Sequence, residues 1–461
     1  MTESPRPYES YVYAYPHKTA YRPLPDPTPS LAPLWRGEPK DALSLYAHIP
    51  FCEVRCGFCN LFTRIGAPDE LTTRYLDALD RQATAVREAL GQSQTLSRGQ
   101  AVSDSQTLGD SAPVRFATAA FGGGTPTFLT AAELDRLCDI AEKRMGVDLR
   151  AVPLSVETSP STATADRLAV LAERGATRLS IGVQSFVEAE ARAAVRPQRR
   201  AEVEAALGRI REAGVPVLNI DLIYGIDGQT EQTWTHSLDA ALAWRPEELY
   251  LYPLYVRPLT GLGRLTATAD RAWDEQRLRL YRHGRDHLLA RGYEQVSMRM
   301  FRRADAPPQG ADDYACQTDG MIGLGCGARS YTSSLHYSFD YAVEMREIRA
   351  IIDDYTATED FTRARVGRWV DAGEARRRHL LQSLLQARGM PTGEYEERFG
   401  ASPFADFPDE LGRFEALGWL DPTAPAGLLR LSSEGLAHSD ALGPALFSPA
   451  VRAAMAAYEP K

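Results

Sequence analysis

Residues 43–60 read LSLYAHIPFCEVRCGFCN, an apolar run typical of a β-strand that leads into three cysteines in one loop. Cys52, Cys56 and Cys59 have the spacing C-x3-C-x2-C. Three thiolates from a single loop can bind three irons of a [4Fe–4S] cluster and leave the fourth iron without a protein ligand. Because an iron with an open coordination position can bind a small molecule, this spacing predicts a catalytic iron–sulfur centre.

A structural zinc site is the alternative, because the three cysteines and the nearby His48 form a Cys3His set, which zinc accepts. The ligands of structural zinc usually come as two pairs from separate turns. The other cysteines of this chain are scattered and supply no second C-x2-C pair. The spacing therefore favours the cluster and leaves zinc open.

The composition indicates a globular protein of two or three domains, with 461 residues of which 44% are hydrophobic. The formal net charge is −9 and no run of Lys and Arg is interleaved with aromatics, so we expect no nucleic-acid partner. No apolar stretch reaches the roughly 18 residues of a membrane span, and the polar N-terminus is unlike a signal peptide. The six cysteines favour reduced thiols over disulfides. We expect a cytoplasmic protein without a membrane partner.

Strand-like runs alternate with amphipathic helical stretches from about residue 43 to residue 254. The predicted strands are LSLYAHI, RFATAAF, VPLSVE, TRLSIGV, PVLNIDLIYG and ELYLYPL, and the predicted helices are 70–90, 131–145, 162–174, 199–213 and 231–243. Short, largely apolar strands separated by helices indicate a parallel sheet. Six such units predict an α/β fold with a partial (β/α)6 barrel, since the complete barrel has eight.

The chain divides into four predicted regions. They are an extended N-terminal segment (1–40), the (β/α)6 core (41–260), a barrel extension that closes over a substrate (261–370) and a mostly helical, winged-helix-like C-terminal domain (371–461). The Ser/Gln/Gly-rich stretch 91–113 is predicted to be a flexible surface insertion. Because the chain is acidic overall, we expect the C-terminal domain to act as a lid or docking domain and not to read DNA.

Polar or glycine residues recur at the ends of the predicted strands. In parallel α/β barrels, this end carries the active site. The residues found there, in chain order, are the cysteine loop, Gly122 to Thr125, Glu157, Gln184, Asp221, and Tyr255 with Arg257. Each one alone is also explained as a turn glycine or a helix cap. Their recurrence at one end of successive strands favours a shared binding site.

Together these motifs resemble the radical S-adenosylmethionine (SAM) superfamily and, within it, the oxygen-independent coproporphyrinogen III oxidase-like family. The resemblance extends from about Tyr11 to Tyr458. It is carried by YAHIPFCEVRCGFCN, FGGGTPTFL, LSVETSP, RLSIGVQSF, VRPQRR and NIDLIYGIDGQT, in that order.

The resemblance implies a [4Fe–4S] cluster on Cys52, Cys56 and Cys59, with the amine and carboxylate of SAM on the open iron. It also implies a small-molecule substrate and a protein reductant such as flavodoxin or ferredoxin. By motif position, the residues that would contact this SAM are Tyr46, Phe58, Gly123 and Glu157. In relatives that bind a second SAM, the matching positions are Gly124, Thr125, Gln184, Arg196 and Asp221. All of these residue types are present, so one or two SAM molecules are expected.

The resemblance leaves three activities open. One branch decarboxylates coproporphyrinogen III oxidatively, a second transfers methyl groups to carbon with two SAM molecules, and a third is a haem-binding chaperone. The chaperone branch carries an HN-x-x-Y motif where this chain reads ADDYACQTDG, which argues against that reading. The oxidase branch usually has one more cysteine, where this chain has Leu61.

Two cysteines and four arginines are candidate contacts for the substrate. Cys316 and Cys326 are candidate hydrogen donors or substrate contacts, and the alternative is that they are small buried side chains. A set of arginines could bind substrate carboxylates in a bidentate manner, with surface solvation as the alternative. These are Arg257, Arg299, Arg302 and Arg303. His48 is predicted to hold the cysteine loop in place.

Overall fold

A computed structural model describes residues 6–11, 14–91, 113–264, 270–307 and 320–459 of the 461-residue chain. Cys316 and most of the predicted insertion 91–113 lie outside the described residues. In chain order the strands are β1 (Arg22–Pro23), β2 (Leu43–Ile49), β3 (Phe51–Cys52), β4 (Arg64–Ile65), β5 (Phe116–Gly123), β6 (Leu154–Thr158), β7 (Arg178–Gln184), β8 (Val217–Tyr224), β9 (Glu248–Pro253), β10 (Tyr293–Gln295), β11 (Met300–Arg303), β12 (Met321–Leu324), β13 (Arg329–Tyr331), β14 (Leu335–Ser338), β15 (Val366–Trp369), β16 (Met390–Pro391) and β17 (Leu428–Leu429).

Helices follow most strands of the first half and dominate the C-terminal region. They are α1 (Leu31–Trp35), α2 (Asp69–Gly91), α3 (Ala131–Asp139), α4 (Ala165–Glu173), α5 (Glu188–Ala193), α6 (Arg200–Glu212), α7 (Glu231–Leu242), α8 (Arg271–Leu289), α9 (Met345–Ala357), α10 (Ala372–Leu384), α11 (Thr392–Phe399), α12 (Pro403–Asp406), α13 (Pro408–Ala416), α14 (Ser433–Ala437), α15 (Ser439–Ala445) and α16 (Pro449–Ala456). Short 3-10 helices cover Lys18–Ala20, Pro126–Phe128 and Leu262–Arg264, and a π-helix covers Ile140–Met145.

One large sheet organises the molecule, in the order β1-β15-β14-β13-β12-β2-β5-β6-β7-β8-β9-β11-β10. The strands from β12 through β9 in this order are parallel to their neighbours. Antiparallel strands extend the sheet beyond β12 and beyond β9. The predicted α/β fold with a parallel core is confirmed, and the structure adds β12 as a further parallel strand beside β2.

The two faces of the parallel sheet differ in polarity. Along β6 to β8, apolar residues such as Leu154, Leu179 and Ile220 alternate with polar ones and are buried in the main hydrophobic core. Successive side chains of a strand point to opposite faces, so the polar residues share the other, inner face. The inner-face residues of β6 to β9 are Ser155, Glu157, Arg178, Ser180, Asn219, Asp221, Glu248 and Tyr250. The barrel interior is therefore a polar surface.

The C-terminal helices form a hydrophobic core of their own, to which the N-terminal segment contributes Tyr15 and Ala20. The Tyr15 hydroxyl is buried and accepts a hydrogen bond from Ser448 N at 3.1 Å. The chain near residues 15–20 thus joins the C-terminal helical region. Within the described ranges, no helix combines the length and apolarity that crossing a lipid bilayer requires.

Candidate active site

The cysteine loop follows β2 and lies at the carboxyl end of the parallel strands. Its short strand β3 pairs with β4 just after the loop, which brings the two ends of the loop together. The Gly57 amide donates to Ala194 O at 3.1 Å, and the Leu262 amide donates to Gly57 O at 2.7 Å. Segments that follow β7 and β9 therefore hold the middle of the loop.

The three thiols lie within reach of polar side chains. Cys52 Sγ is 3.3 Å from Thr125 Oγ1, and Arg196 Nη1 donates to Cys56 Sγ at 3.0 Å. Burial raises the pKa of Cys52 to about 12 and also raises the pKa of Cys59. Without a metal these two thiols are protonated at neutral pH. Bound iron would replace the protons, because metals bind the thiolate form.

The donor set fits a cluster better than zinc. In the part of the chain that the structure describes, no group of three His, Cys, Asp or Glu side chains converges on a single metal position. His48 is already engaged, with Nε2 3.0 Å from Phe62 O and Nδ1 3.2 Å from the Tyr46 hydroxyl. Since a carbonyl only accepts, Nε2 carries the proton and Nδ1 accepts from Tyr46. Burial lowers the pKa of His48 to about 4, so the ring is neutral.

Glycines allow the chain to pack closely around His48 and the start of the loop. A Cβ on Gly123 would lie 2.5 Å from the His48 ring, and a Cβ on Gly327 would lie 2.4 Å from His48 Nε2. Gly123 also has φ +113°, which side chains rarely adopt. A Cβ on Gly124 would lie 2.6 Å from Phe51 O. His48 therefore holds the loop through Phe62 O, as predicted, and the glycine turn is required by its packing.

Glu157 is a solvent-accessible acidic residue on the inner face, beside the glycine turn that packs on the cysteine loop. We call this part of the barrel mouth the cluster side. The Glu157 side chain is exposed, and its Oε2 accepts a hydrogen bond from Gly123 N at 3.0 Å. The side chain reaches water through the open barrel interior while protein atoms surround its other sides. Burial raises the pKa of Glu157 to about 7, against the hydrogen bond from Gly123, and the charge of Asp221 adds to the rise. The Glu157 carboxyl group would therefore ionise readily beside a cation such as an ammonium.

Two residues of the predicted second SAM site, Asp221 on β8 and Arg196 after β7, are hydrogen-bonded to neighbouring groups. Asp221 accepts hydrogen bonds from Asn219 Nδ2 at 2.7 Å and from Ser180 Oγ at 3.3 Å. Burial raises the pKa of Asp221 to about 6, which the charge of Arg178 opposes. Arg196 Nη2 donates to Gly182 O at 2.6 Å, besides the bond to the Cys56 thiol.

The remaining predicted SAM contacts lie around the loop. Gln184 ends β7, is buried and has φ 71°, an uncommon conformation for a residue other than glycine. Phe58 is partly buried and packs against a small apolar cluster that includes Ala194 and Leu254. Thr125 is buried and its amide donates to Phe51 O at 2.8 Å. The structure thus places the predicted SAM contacts around the cysteine loop and along the barrel strands that follow it.

Cys326 is packed away from the barrel interior. It is fully buried, and its Sγ is 3.8 Å from the Tyr75 hydroxyl. Burial raises the pKa of Cys326 far above its usual range, so the thiol is protonated. This placement favours the alternative that Cys326 is a small buried side chain over the role of a hydrogen donor.

Three of the four candidate carboxylate-binding arginines already have acidic partners. Arg299 pairs with Asp440, the Arg302 Nη1 to Glu248 Oε1 distance is 3.8 Å, and the Arg303 Nη2 to Glu247 Oε1 distance is 3.3 Å. Arg257 lies over the Tyr255 ring, 4.5 Å from the ring centroid. Of this set, Arg257 is the one that the described residues do not pair with a carboxylate.

The polar inner face below the site was not predicted from the sequence. Arg178 Nε donates to Glu248 Oε2 at 2.7 Å, and Arg178 Nη1 donates to Ser155 Oγ at 3.0 Å. Arg178 in turn opposes the rise of the Asp221 pKa. The period-two alternation of LSVET, RLSIGV and VLNIDLIY was the available signal.

The chain is similar in sequence to proteins of known families. A sequence profile of the radical SAM superfamily matches residues 46–241. The chain is 26% identical to heme chaperone HemW of Bacillus subtilis over 86% of this chain and 93% of that protein. It is 27% identical to oxygen-independent coproporphyrinogen III oxidase of Escherichia coli over 86% of this chain and 82% of that protein.

A solved structure shares the fold over nearly the whole chain. Coproporphyrinogen III oxidase (HemN) from Escherichia coli superposes with a TM-score of 0.76 at 23% sequence identity, covering 95% of this chain and 96% of that chain. The match to the radical SAM superfamily profile implies a [4Fe–4S] cluster and SAM. The chain thus carries the sequence profile of the radical SAM superfamily in its barrel and is similar, over most of its length, to oxygen-independent coproporphyrinogen III oxidase and the heme chaperone HemW.

Proposed function

We propose that this protein is an enzyme that cleaves SAM reductively and oxidises a small substrate by hydrogen abstraction. The observation that carries the proposal is the meeting of the cysteine loop with the hydrogen-bonded Gly123–Glu157 pair at the carboxyl ends of β2, β5 and β6. A [4Fe–4S] cluster, when bound, supplies the electron that cleaves the sulfonium of SAM to a 5′-deoxyadenosyl radical. The protein positions and shields this chemistry.

The residues on the cluster side have separate tasks in this proposal. Cys52, Cys56 and Cys59 would hold the cluster. Glu157 would accept hydrogen bonds from the SAM ammonium, because a carboxylate on the accessible inner face stabilises a cation. The glycines after β5 would let SAM approach the backbone closely, since a side chain there would occupy that space.

The substrate that we favour is a porphyrinogen with carboxylate arms, as for coproporphyrinogen III oxidase. It is supported by relatives of that name over most of the chain. A second reading, a carbon methyltransferase that uses two SAM molecules, is favoured by Leu61 at the place of the oxidase's further cysteine. The absence of an HN-x-x-Y sequence in residues 311–320 (ADDYACQTDG) argues against a haem chaperone. A flavodoxin or ferredoxin is the proposed reductant.

Anaerobic turnover of the reconstituted protein with coproporphyrinogen III, SAM and dithionite tests the proposal, with products read by mass spectrometry. We expect 5′-deoxyadenosine, together with loss of carbon dioxide from the porphyrinogen. S-adenosylhomocysteine formed alongside 5′-deoxyadenosine would select the methyltransferase reading. A protein that binds iron and sulfide but yields no 5′-deoxyadenosine would contradict both readings. Haem titration is the matched control, and a tight Soret change without SAM cleavage would favour the chaperone.

A further inference from the structure

A pocket of about 240 Å³ lies beside the cysteine loop, at the same edge of the sheet. Strand β12 is parallel to β2, with Leu324 level with Ala47, so the residues after β12 lie beside those that begin the loop. The next strands, β13 to β15, supply further walls of the pocket. The lining residues used below are Lys18, Arg22, Arg329, Asp340, Tyr341 and Glu459.

Hydrogen bonds connect this pocket to the cysteine loop. The Lys18 ammonium donates to the Tyr341 hydroxyl, and the Tyr341 hydroxyl donates to Asn60 O, directly after Cys59. Lys18 Nζ is also 3.7 Å from the centroid of the Tyr341 ring. A group bound at Lys18 is therefore fixed relative to the cluster loop.

Lys18 is a half-buried amine whose hydrogen bond goes to a tyrosine hydroxyl. Among the described residues, no carboxylate oxygen lies within the 4.0 Å of an ion pair from its Nζ, although Asp340 and Glu459 line the same pocket. Burial lowers the pKa of Lys18 well below its usual range, and the charges of Arg329 and Arg257 lower it further. An ammonium that is removed from water is costly unless an anion pairs with it.

Neighbouring cations make the region more positive. Arg257 follows β9 and Arg329 begins β13, and the charges of both act on Lys18 and on His17. The positive charges that act on Lys18 thus come from both ends of the parallel part of the sheet. Arg22 adds no charge pair here, because its guanidinium donates to the carbonyls of Thr19, Tyr21 and Ala454.

We propose that this pocket binds a carboxylate arm of the substrate, with the Lys18 ammonium as its ion-pair donor. This inference rests on the proposed function and adds a residue that selects substrates carrying several carboxylates. The arm bound at Lys18 is held and does not react. It orients the substrate so that another part of the molecule faces the cluster, because Tyr341 and Asn60 link the pocket to the loop.

The test is a fluorescence titration of the reconstituted wild-type protein, Lys18→Met and Lys18→Arg with coproporphyrin III, a tetracarboxylate. We expect Lys18→Met to weaken binding at least about tenfold, because a hydrogen bond to a charged group contributes more than a neutral one. Lys18→Arg retains the charge and should restore part of the loss. Lys40→Met is the control, because the Lys40 Nζ donates to Leu90 O away from this pocket.

Two further measurements make the outcomes distinct. The tetramethyl ester of coproporphyrin III should bind the wild type at least about tenfold more weakly than the acid, for the same electrostatic reason. Equal binding of acid and ester, unchanged binding in Lys18→Met, or no binding of the acid by the wild type each overturns the pocket assignment. If Lys18→Met does not fold, the ester comparison decides. Formation of 5′-deoxyadenosine by the same wild-type preparation is scored separately, and only its absence counts against the proposed function.

Discussion

Two groups of polar residues at the barrel mouth differ in how far they are already hydrogen-bonded to the protein. On the cluster side, Glu157 is exposed, and its carboxylate accepts a hydrogen bond from Gly123 N. In the second group, Asp221 accepts from Asn219 and Ser180, and Arg196 donates to Gly182 O and the Cys56 thiol. We therefore propose the accessible carboxylate of the cluster side as the contact for SAM. We propose that the second group supports this site, because Arg196 reaches the loop and Asp221 is hydrogen-bonded within the inner face.

Removing any one cluster ligand should have the largest effect. Cys52→Ala, Cys56→Ala and Cys59→Ala should each lose the cluster absorption and all formation of 5′-deoxyadenosine, because three thiolates hold the cluster. Iron and sulfide analysis after reconstitution is the measurement. Cys138→Ala is the matched control, since Cys138 is fully buried in the main core. Full iron content in any of the three loop variants would remove that cysteine from the ligand set.

Gly123→Ala should disrupt the cluster side and cost roughly 2–5 kcal/mol of stability, from unfavourable backbone conformation and overpacking. The new methyl group would lie 2.5 Å from the His48 ring, at φ +113°. Urea unfolding together with SAM binding measures both effects. Gly228→Ala is the control, because Gly228 has φ +76° but nothing within 4 Å of its Cβ position, so only the backbone cost applies. Equal losses in the two variants would show that packing on His48 is unimportant.

Glu157→Gln should raise the KM for SAM by about tenfold to a hundredfold, the usual size for loss of a charge-assisted hydrogen bond. The pKa of Glu157 lies near 7, so the carboxylate forms as pH rises through this value. The KM of the wild type should therefore rise as pH falls below about 7, whereas the variant should lose this dependence. The measurement is the KM for SAM at pH values from about 6 to about 8.5, which bracket this pKa. Glu173→Gln, on the exposed side of α4, is the control.

Asp221→Asn should raise the KM for SAM less than Glu157→Gln does, by under about tenfold, because the amide keeps one acceptor for the neutral donors around it. Equilibrium dialysis of the reconstituted wild type should find one tightly bound SAM per cluster, and the variant should keep it. Two bound molecules in the wild type and one in Asp221→Asn would reverse the comparison, because the group around Asp221 would then form a second SAM site.

Cys326→Ala should have the smallest effect. Loss of a buried sulfur should cost about 1–2 kcal/mol of unfolding free energy and leave SAM cleavage unchanged. Thermal unfolding and 5′-deoxyadenosine formation are measured on the same preparation. Loss of substrate oxidation with normal SAM cleavage would restore Cys326 as a hydrogen donor.

The parts of the fold that the sequence predicted are those with strong local signals. Strand β2 begins and ends where predicted, at Leu43 and Ile49, and β5 to β9 lie within about three residues of their predicted positions. Strand β12 was missed, because its sequence MIGL precedes a glycine-rich turn and glycine weakens a strand pattern. The cysteine loop and Glu157 could be placed at one end of the sheet because carboxyl ends of parallel strands coincide.

Contacts between distant parts of the chain could not be predicted. The Lys18–Tyr341–Asn60 hydrogen bonds join three segments whose proximity depends on strand order beyond β2. The acidic partners of Arg299 and Arg302 are likewise far away in sequence, and a single sequence does not specify such pairs. The packing of glycines on His48 required the fold as well.

We propose that the loop of Cys52, Cys56 and Cys59 holds a cluster with an iron open to SAM. Electron paramagnetic resonance of the dithionite-reduced, reconstituted protein tests it most directly, with and without SAM. We expect the signal of a reduced [4Fe–4S] cluster whose g values change when SAM is added. A cluster signal that SAM leaves unchanged would contradict it.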